Sequence, residues 1–282
     1  MVENRPFLNL LAHLVLMLGV AIVALPLWIA FVASTHGGND FMSGLVPLWP
    51  GDRLVENYGQ MLSSGVSTSG MPPVSRMLLN SLVMALAIAI GKISISILSA
   101  FAVVYFRFPF RMLAFWTIFV TLMLPVEVRI VPTYKVVADL GMLNSYAGLS
   151  IPLIASATAT FLFRQVFLTM PDELTEAARI DGAGPMKFFR DILLPLSRTN
   201  IAALFVIMFI YGWNQYLWPL LITTDSSMYT IVAGIKRMAD VSDAQPQWHL
   251  VMATAIMAAL PPLLVVVGMQ RLFIRGLVET EK

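Results

Sequence analysis

The chain has 282 residues, 58% of them hydrophobic and only 12% charged, with a mean hydropathy of +0.80. A soluble domain of this size cannot bury so much apolar side chain, so a water-soluble globular fold is excluded. The net charge of +2 comes without a basic stripe interleaved with aromatics, which speaks against a nucleic-acid partner, and the absence of cysteine removes disulfide scaffolds and thiolate metal sites.

The apolar residues collect into runs of about 20 or more, the length at which a helix crosses the hydrocarbon layer. Lipid offers no partner for an open backbone hydrogen bond, so such runs must be helices. An all-α integral membrane protein with six transmembrane helices is predicted, its spans being Leu8–Val32, Leu78–Val104, Leu113–Leu124, Tyr146–Phe163, Ile201–Ile222 and Leu250–Gly268. The first follows Arg5 but is too long for the apolar region of a cleavable signal peptide and lacks a small-x-small exit, so it reads as a retained helix. The second holds Asn80 near its start, expected to satisfy an interhelical hydrogen bond, and Lys92 about midway.

The third span is short and is expected to continue past Pro125 to Val131, carrying Glu127 and Arg129 to the outer membrane surface. Two residues apart, those charges fall on different faces of a helix, so no local pair is expected. Pro261 and Pro262 are expected to kink the sixth span. No repeat, low-complexity tract or soluble domain interrupts the pattern, so 1–282 reads as a single transmembrane domain.

Six spans with the N-terminus inside place eleven of the 18 Lys and Arg in cytoplasmic segments and six outside, Lys92 lying within a span. The positive-inside rule then puts both termini in the cytoplasm.

The loop 164–200 is polar enough to leave the membrane yet carries helix punctuation. Asp172–Asp181 is rich in helix formers, and Asp172 and Glu173 sit in a first turn where carboxylates favour the positive end of the macrodipole. Gly182 stands where a left-handed residue stops a helix, and Gly184–Pro185 restarts one. Two short helices at an angle are predicted.

Within this loop Glu176, Ala177, Ala178, then Gly182, then Ile192, Leu194 and Pro195 have the residues and spacing of the "EAA, G, I-x-L-P" loop of ABC importer permeases. The stretches MLLNSLVMA (Met77–Ala85), TLMLPVEVRIVPT (Thr121–Thr133), SATATFLFRQVF (Ser156–Phe167), FIYGWNQYLWPLL (Phe209–Leu221) and QRLFIRGLVETEK (Gln270–Lys282) resemble the carbohydrate-uptake branch of that family. The similarity covers nearly the whole chain, weakening in 34–75 and 224–248. It implies the type I importer permease fold, in which the first short helix of the loop is a coupling helix docked on an ATPase. On that likeness Glu176 pairs with a basic group of the ATPase, Ala177, Ala178 and Asp181 lie at the contact, and Gly182 makes the bend.

The resemblance further implies the partners: a second permease subunit, two copies of an ATPase subunit carrying ATP and Mg, a periplasmic binding protein, and the bilayer of a bacterial inner membrane. No cofactor is expected on this chain. The nearest likeness is to permeases of sn-glycerol-3-phosphate importers, which implies that substrate, or glycerophosphodiesters; other sugars or polyols remain open.

Two places in the spans are candidates for a translocation pathway. In the fifth, Trp213, Asn214, Gln215 and Tyr216 set an amide pair among aromatics, a costly placement unless it meets a partner or water; the alternative is an interfacial aromatic belt. In the second, Lys92 suits an anionic substrate, or else bonds to carbonyls or a neighbouring subunit. Gly91–Lys92 is not a nucleotide loop, since Leu86 replaces its first glycine and Ile93 its hydroxyl residue. A gradient-driven secondary transporter requires intramembrane carboxylates or inverted repeats, and the spans offer only Glu127. His13, His36 and His249 are scattered, and no nucleophile with a base can be assembled, so no enzyme is predicted.

Overall fold

The computed structural model describes residues 6–41, 47–66, 70–120, 126–240 and 246–278, with the side chains of all of these but 6, 126, 127 and 271–278. Arg5, Leu124, Pro125 and Lys282, and the side chains of Glu127, Arg271 and Arg275, therefore lie outside the described residues. Among the described residues the chain is helical, apart from one isolated bridge between Val66 and Met71.

The helices are α1 (Pro6–Ser34), α2 (Leu54–Ser63), α3 (Val74–Tyr105), α4 (Arg111–Val120), α5 (Val126–Asp139), α6 (Tyr146–Ser150), α7 (Ala157–Leu168), α8 (Asp172–Ile180), α9 (Pro185–Phe188), α10 (Leu194–Leu196), α11 (Arg198–Trp213), α12 (Leu217–Ile222), α13 (Ile231–Ala239) and α14 (Trp248–Val278). Three of them, α1, α3 and α14, are each long and apolar enough to cross a membrane alone. Two bent pairs pass the same test: α6 with α7, bent by 50°, and Pro185–Leu196 with α11, bent by 74°. The second pair is not one span in our reading, because Lys187, Arg190 and Asp191 are exposed on its first limb.

The helices depart from the expected spans in instructive ways. The fourth expected span breaks at 154–156 before running on to Leu168, and the fifth breaks at Asn214–Tyr216. Helix α14 runs unbroken through Pro261 and Pro262, where the kink is expected. Helix α5 reaches Asp139, eight residues past the expected end. Segments read as plain loops hold α2 and α13.

The chain packs as two compact units, Met1–Arg76 with Gly234–Leu260, and Met77–Ala233 with Pro261–Lys282. In the first, α1 is exposed along most of its length and buried only over Val32–Ser34, as suits a helix surrounded by lipid or another subunit. The carbonyls left over at its C-terminal end are met by Asn57 of α2, whose Nδ2 donates to Ser34 and His36 oxygens, each at 2.8 Å.

The second unit is built around α3. Small residues let α11 approach closely: a Cβ on Gly212 would lie 3.0 Å from the Ala85 Cα. Asn80, fully buried on α3, donates to the Ser227 oxygen at 2.9 Å and the Tyr229 oxygen at 3.0 Å, and accepts from the Tyr146 hydroxyl at 2.7 Å. The interhelical role expected of it is thus filled by two loop carbonyls and a phenol. Beside it Met84, Ile88, Leu149, Trp218 and Ile222 form a core cluster.

Candidate functional site

Two features of the second unit place side chains for work: a capped surface helix and a cation-lined cavity. Helix α8 ends as the sequence predicts. Gly182 has φ +68°, the Ala183 N–H donates to the Ala178 oxygen at 2.8 Å and the Gly182 N–H to the Arg179 oxygen at 3.1 Å. These two bonds are the Schellman closure, with Asp181 as the C-cap and Gly182 as its left-handed residue.

The phase of α8 separates the predicted loop residues. Glu173, Glu176, Ala177 and Ile180, at helical spacing, share the exposed face, and Ile180 is 86% exposed. Ala178 turns the other way and is 4% exposed. It lies by a pocket of about 230 Å³ walled by Phe101, Tyr105 and Phe188. Its small size therefore serves packing within this chain.

An aromatic cluster fastens the segment down. Phe101 meets Phe189 with centroids 4.8 Å apart, and Tyr105 meets Phe188 at 5.2 Å. After α9 the chain widens into a π turn, Phe189–Leu193, before α10. Pro195 accounts for it: lacking an N–H and crowding the carbonyl four residues back, it forbids the ordinary helical bond to Asp191. Ile192, Leu194 and Pro195 are half-buried around Leu193, which is 1% exposed. From there the chain turns into α11.

The cavity lies where α3, α4, α5, α11 and the broken α6–α7 pair converge. Its larger chamber, about 600 Å³, is within the range of small-molecule sites. A smaller one of about 130 Å³ shares Lys92, Arg129, Ala155 and Tyr211 with it. Gly91 makes room for the break in α6–α7, since a Cβ there would lie 2.7 Å from Ile154 Cγ2. One turn on, the Ser96 hydroxyl donates to the Ser156 oxygen at 3.1 Å and secures the broken segment. Ser156 caps α7 by accepting from the Ala159 N–H at 3.3 Å, and the next residues, Ala157 and Thr158, line the chamber.

Lys92 is 7% exposed and holds its Nζ 4.0 Å over the Tyr211 ring centroid. Of the other expected pathway residues, Gln215 lines the smaller chamber and donates to the Tyr211 oxygen at 3.2 Å. The rest lie elsewhere. Trp213 is buried against Phe209, while Asn214 and Tyr216 are exposed and line neither chamber. Arg129, expected to be exposed at the outer surface, is exposed and also lines both chambers with Lys92. Sequence reasoning does not assign Arg129, Ser99 or Thr117 to the pathway, though it places Tyr211 among the fifth-span candidates. The one available signal was a second cation close to an apolar run, at Arg129.

A polytopic helical fold with an amphipathic capped surface helix and a cavity between its helices lined by Lys92 and Arg129 defines a membrane transport component. The sequence profile of the binding-protein-dependent transport system inner membrane components matches residues 92–279, and the chain belongs to that family. It is 63% identical over 282 residues, all of both chains, to the sn-glycerol-3-phosphate transport system permease protein UgpE of Agrobacterium fabrum. The UgpE proteins of Brucella melitensis and Escherichia coli O1:K1 are 62% and 58% identical, again with 100% of both chains covered. Among solved structures, a bacterial ABC transporter involved in the import of the acidic polysaccharide alginate has the same fold. The TM-score is 0.80 at 19% identity, covering 96% of this chain and 98% of that one.

Proposed function

We propose that this chain is one of two permease subunits of an ATP-driven importer of sn-glycerol-3-phosphate. Six spans then cross a bacterial inner membrane: α1, α3, α4 with α5, α6 with α7, α11 with α12, and α14, with both termini in the cytoplasm. A periplasmic binding protein delivers the substrate, and two ATPase copies bearing ATP and Mg bind from the cytoplasm. The substrate assignment is supported by relatives 58–63% identical along their whole length whose names carry it.

The coupling role rests on one observation, the outward face of α8. Glu173, Glu176, Ala177 and Ile180 offer two carboxylates, a small residue and an exposed apolar side chain in one stripe. That suits a groove with a basic rim: Ala177 admits close approach, Ile180 is buried on docking, and Glu176 finds a cation. Asp181 and Gly182 end the helix at the contact. Ala178 keeps α8 attached to Phe101 and Phe188, so a push on α8 moves the aromatic cluster and, through Ile192, Leu194 and Pro195, the 74° turn into α11. Helix α11 carries Tyr211 to the cavity, so ATP-driven movement of α8 reshapes the cavity wall.

The test is co-purification of the complex with Glu176→Lys. Loss of the ATPase with retention of the partner permease is expected; an intact complex with ATP-dependent uptake sinks the coupling role.

A further inference from the structure

Lys92 and Arg129 both line the larger chamber, and among the described residues no carboxylate does. A buried ammonium in a membrane span costs several kcal/mol without a partner. A single aromatic face leaves its three donors largely unused. The first N–H groups of a helix have no intrahelical partner and bear the positive end of its dipole, and α7 begins at this wall with Ala157 and Thr158. A buried ammonium, an exposed guanidinium and a helix start thus line one chamber.

The hydroxyls beside them are pre-set as acceptors. Ser99 donates to the Ile95 oxygen at 2.7 Å and Thr117 to the Leu113 oxygen at 2.9 Å, so each turns lone pairs toward the chamber. Such oxygens suit alcohol hydroxyls, which donate, rather than phosphate oxygens, which only accept.

We propose that this cavity is a binding site on the translocation path for a small phosphomonoester, its phosphate held by Lys92, Arg129 and the first turn of α7 and its hydroxyls by Ser99 and Thr117. The inference deepens the importer reading and rests on it. It assigns a cargo-facing surface to this subunit, distinct from the α8 face, which receives force.

The test uses the whole complex with its binding protein in proteoliposomes, comparing the parent with Lys92→Met, Lys92→Arg, Arg129→Gln and Lys135→Met. Lys135 is an exposed cation of α5 that lines neither chamber, and its loss should change nothing. Lys92→Met and Arg129→Gln should each raise the KM for sn-glycerol-3-phosphate uptake roughly tenfold or more, as befits loss of a charged hydrogen bond, and Lys92→Arg should recover most of it. Unchanged uptake in both neutral variants overturns the site. So does loss of the partner permease in Arg129→Gln, which assigns the charge to the subunit interface.

If the parent imports no sn-glycerol-3-phosphate, the substrate reading fails and the site is judged separately, by inorganic phosphate added to the complex in phospholipid-free detergent. A rise in Tm that both neutral variants lose upholds the site; no rise overturns it. A phospholipid retained by the parent and lost in the variants, seen by native mass spectrometry, assigns the charges to a lipid headgroup and also overturns it.

Discussion

The ammonium of Lys92 lies 4.0 Å from the centroid of the Tyr211 ring, joining the middle of α3 to α11 across the cavity wall. The contact uses the face of the ring and not the hydroxyl, so the two can be separated by substitution. Tyr211→Phe should leave the Tm of the purified complex unchanged. Tyr211→Ala should lower it, through loss of a desolvated cation–π contact worth about 2 kcal/mol as well as packing. Equal loss in both variants would show that the hydroxyl, and not the ring, carries the stability.

Gly182 gives a second separation, between backbone and space. Its φ is +68°, and a Cβ built there meets nothing within 4 Å. Substitution therefore costs only the left-handed conformation, about 1–2 kcal/mol for an ordinary residue and less for asparagine. Gly182→Asn should retain ATPase co-purification and uptake, while Gly182→Val should weaken both. A valine variant as active as the parent would mean that the stop after α8 is not needed for coupling.

Some of this was legible in the chain and some was not, for physical reasons. The lipid demands long apolar helices, so α1, α3 and α14 stood out, and a glycine after a helix-forming run announced the end of α8. The break at 154–156 was hidden, since Ile154 and Ala155 are as apolar as a continuous span and only Pro152 precedes them. Helices α2 and α13 are short and are set by their packing, so their loops read as irregular. Arg129 at the end of an apolar run looks the same whether it faces water or a cavity. The inward turn of Ala178 needed the helix phase, and it splits the Ala177–Ala178 pair into one exposed residue and one packed within this chain.

Asn80 is satisfied by three bonds, to the Ser227 and Tyr229 oxygens and from the Tyr146 hydroxyl. Asn80→Ala removes all three bonds and should lower the Tm, each lost bond being worth about 0.5–1.5 kcal/mol. Tyr146→Phe alone leaves only the Asn80 Oδ1 unpaired and should cost less. Melting of the complex in both single variants and the double should show non-additivity, the double being milder than the sum. Additive losses would place the two residues in separate roles.

Gly148 and Gly141 make a matched pair for the core. A Cβ at Gly148 would collide with the Met142 oxygen, whereas one at Gly141 meets nothing within 4 Å. The Gly148 oxygen also accepts from Trp218 Nε1 at 3.0 Å, so displacing that backbone disturbs the cluster around Trp218. Gly148→Ala should reduce the yield of assembled complex severely. Gly141→Ala, at φ +67°, bears only a conformational cost of about 1–2 kcal/mol and should assemble.

The absence of cysteine makes the orientation directly measurable, because any thiol introduced is the only one. Glu56 on α2 and Lys187 on α9 are both exposed, and in the proposed topology they lie on opposite sides of the membrane. In spheroplasts, Glu56→Cys should react with a membrane-impermeant maleimide, while Lys187→Cys should react only after the membrane is opened. The reverse pattern would put α8 in the periplasm, out of reach of any ATPase, and with it the coupling role of Glu176 would fall. Reaction of both in intact spheroplasts would require an odd number of spans fewer or more between them, and the α4–α5 segment, where neither helix alone has the length of a span, is where the change would have to lie.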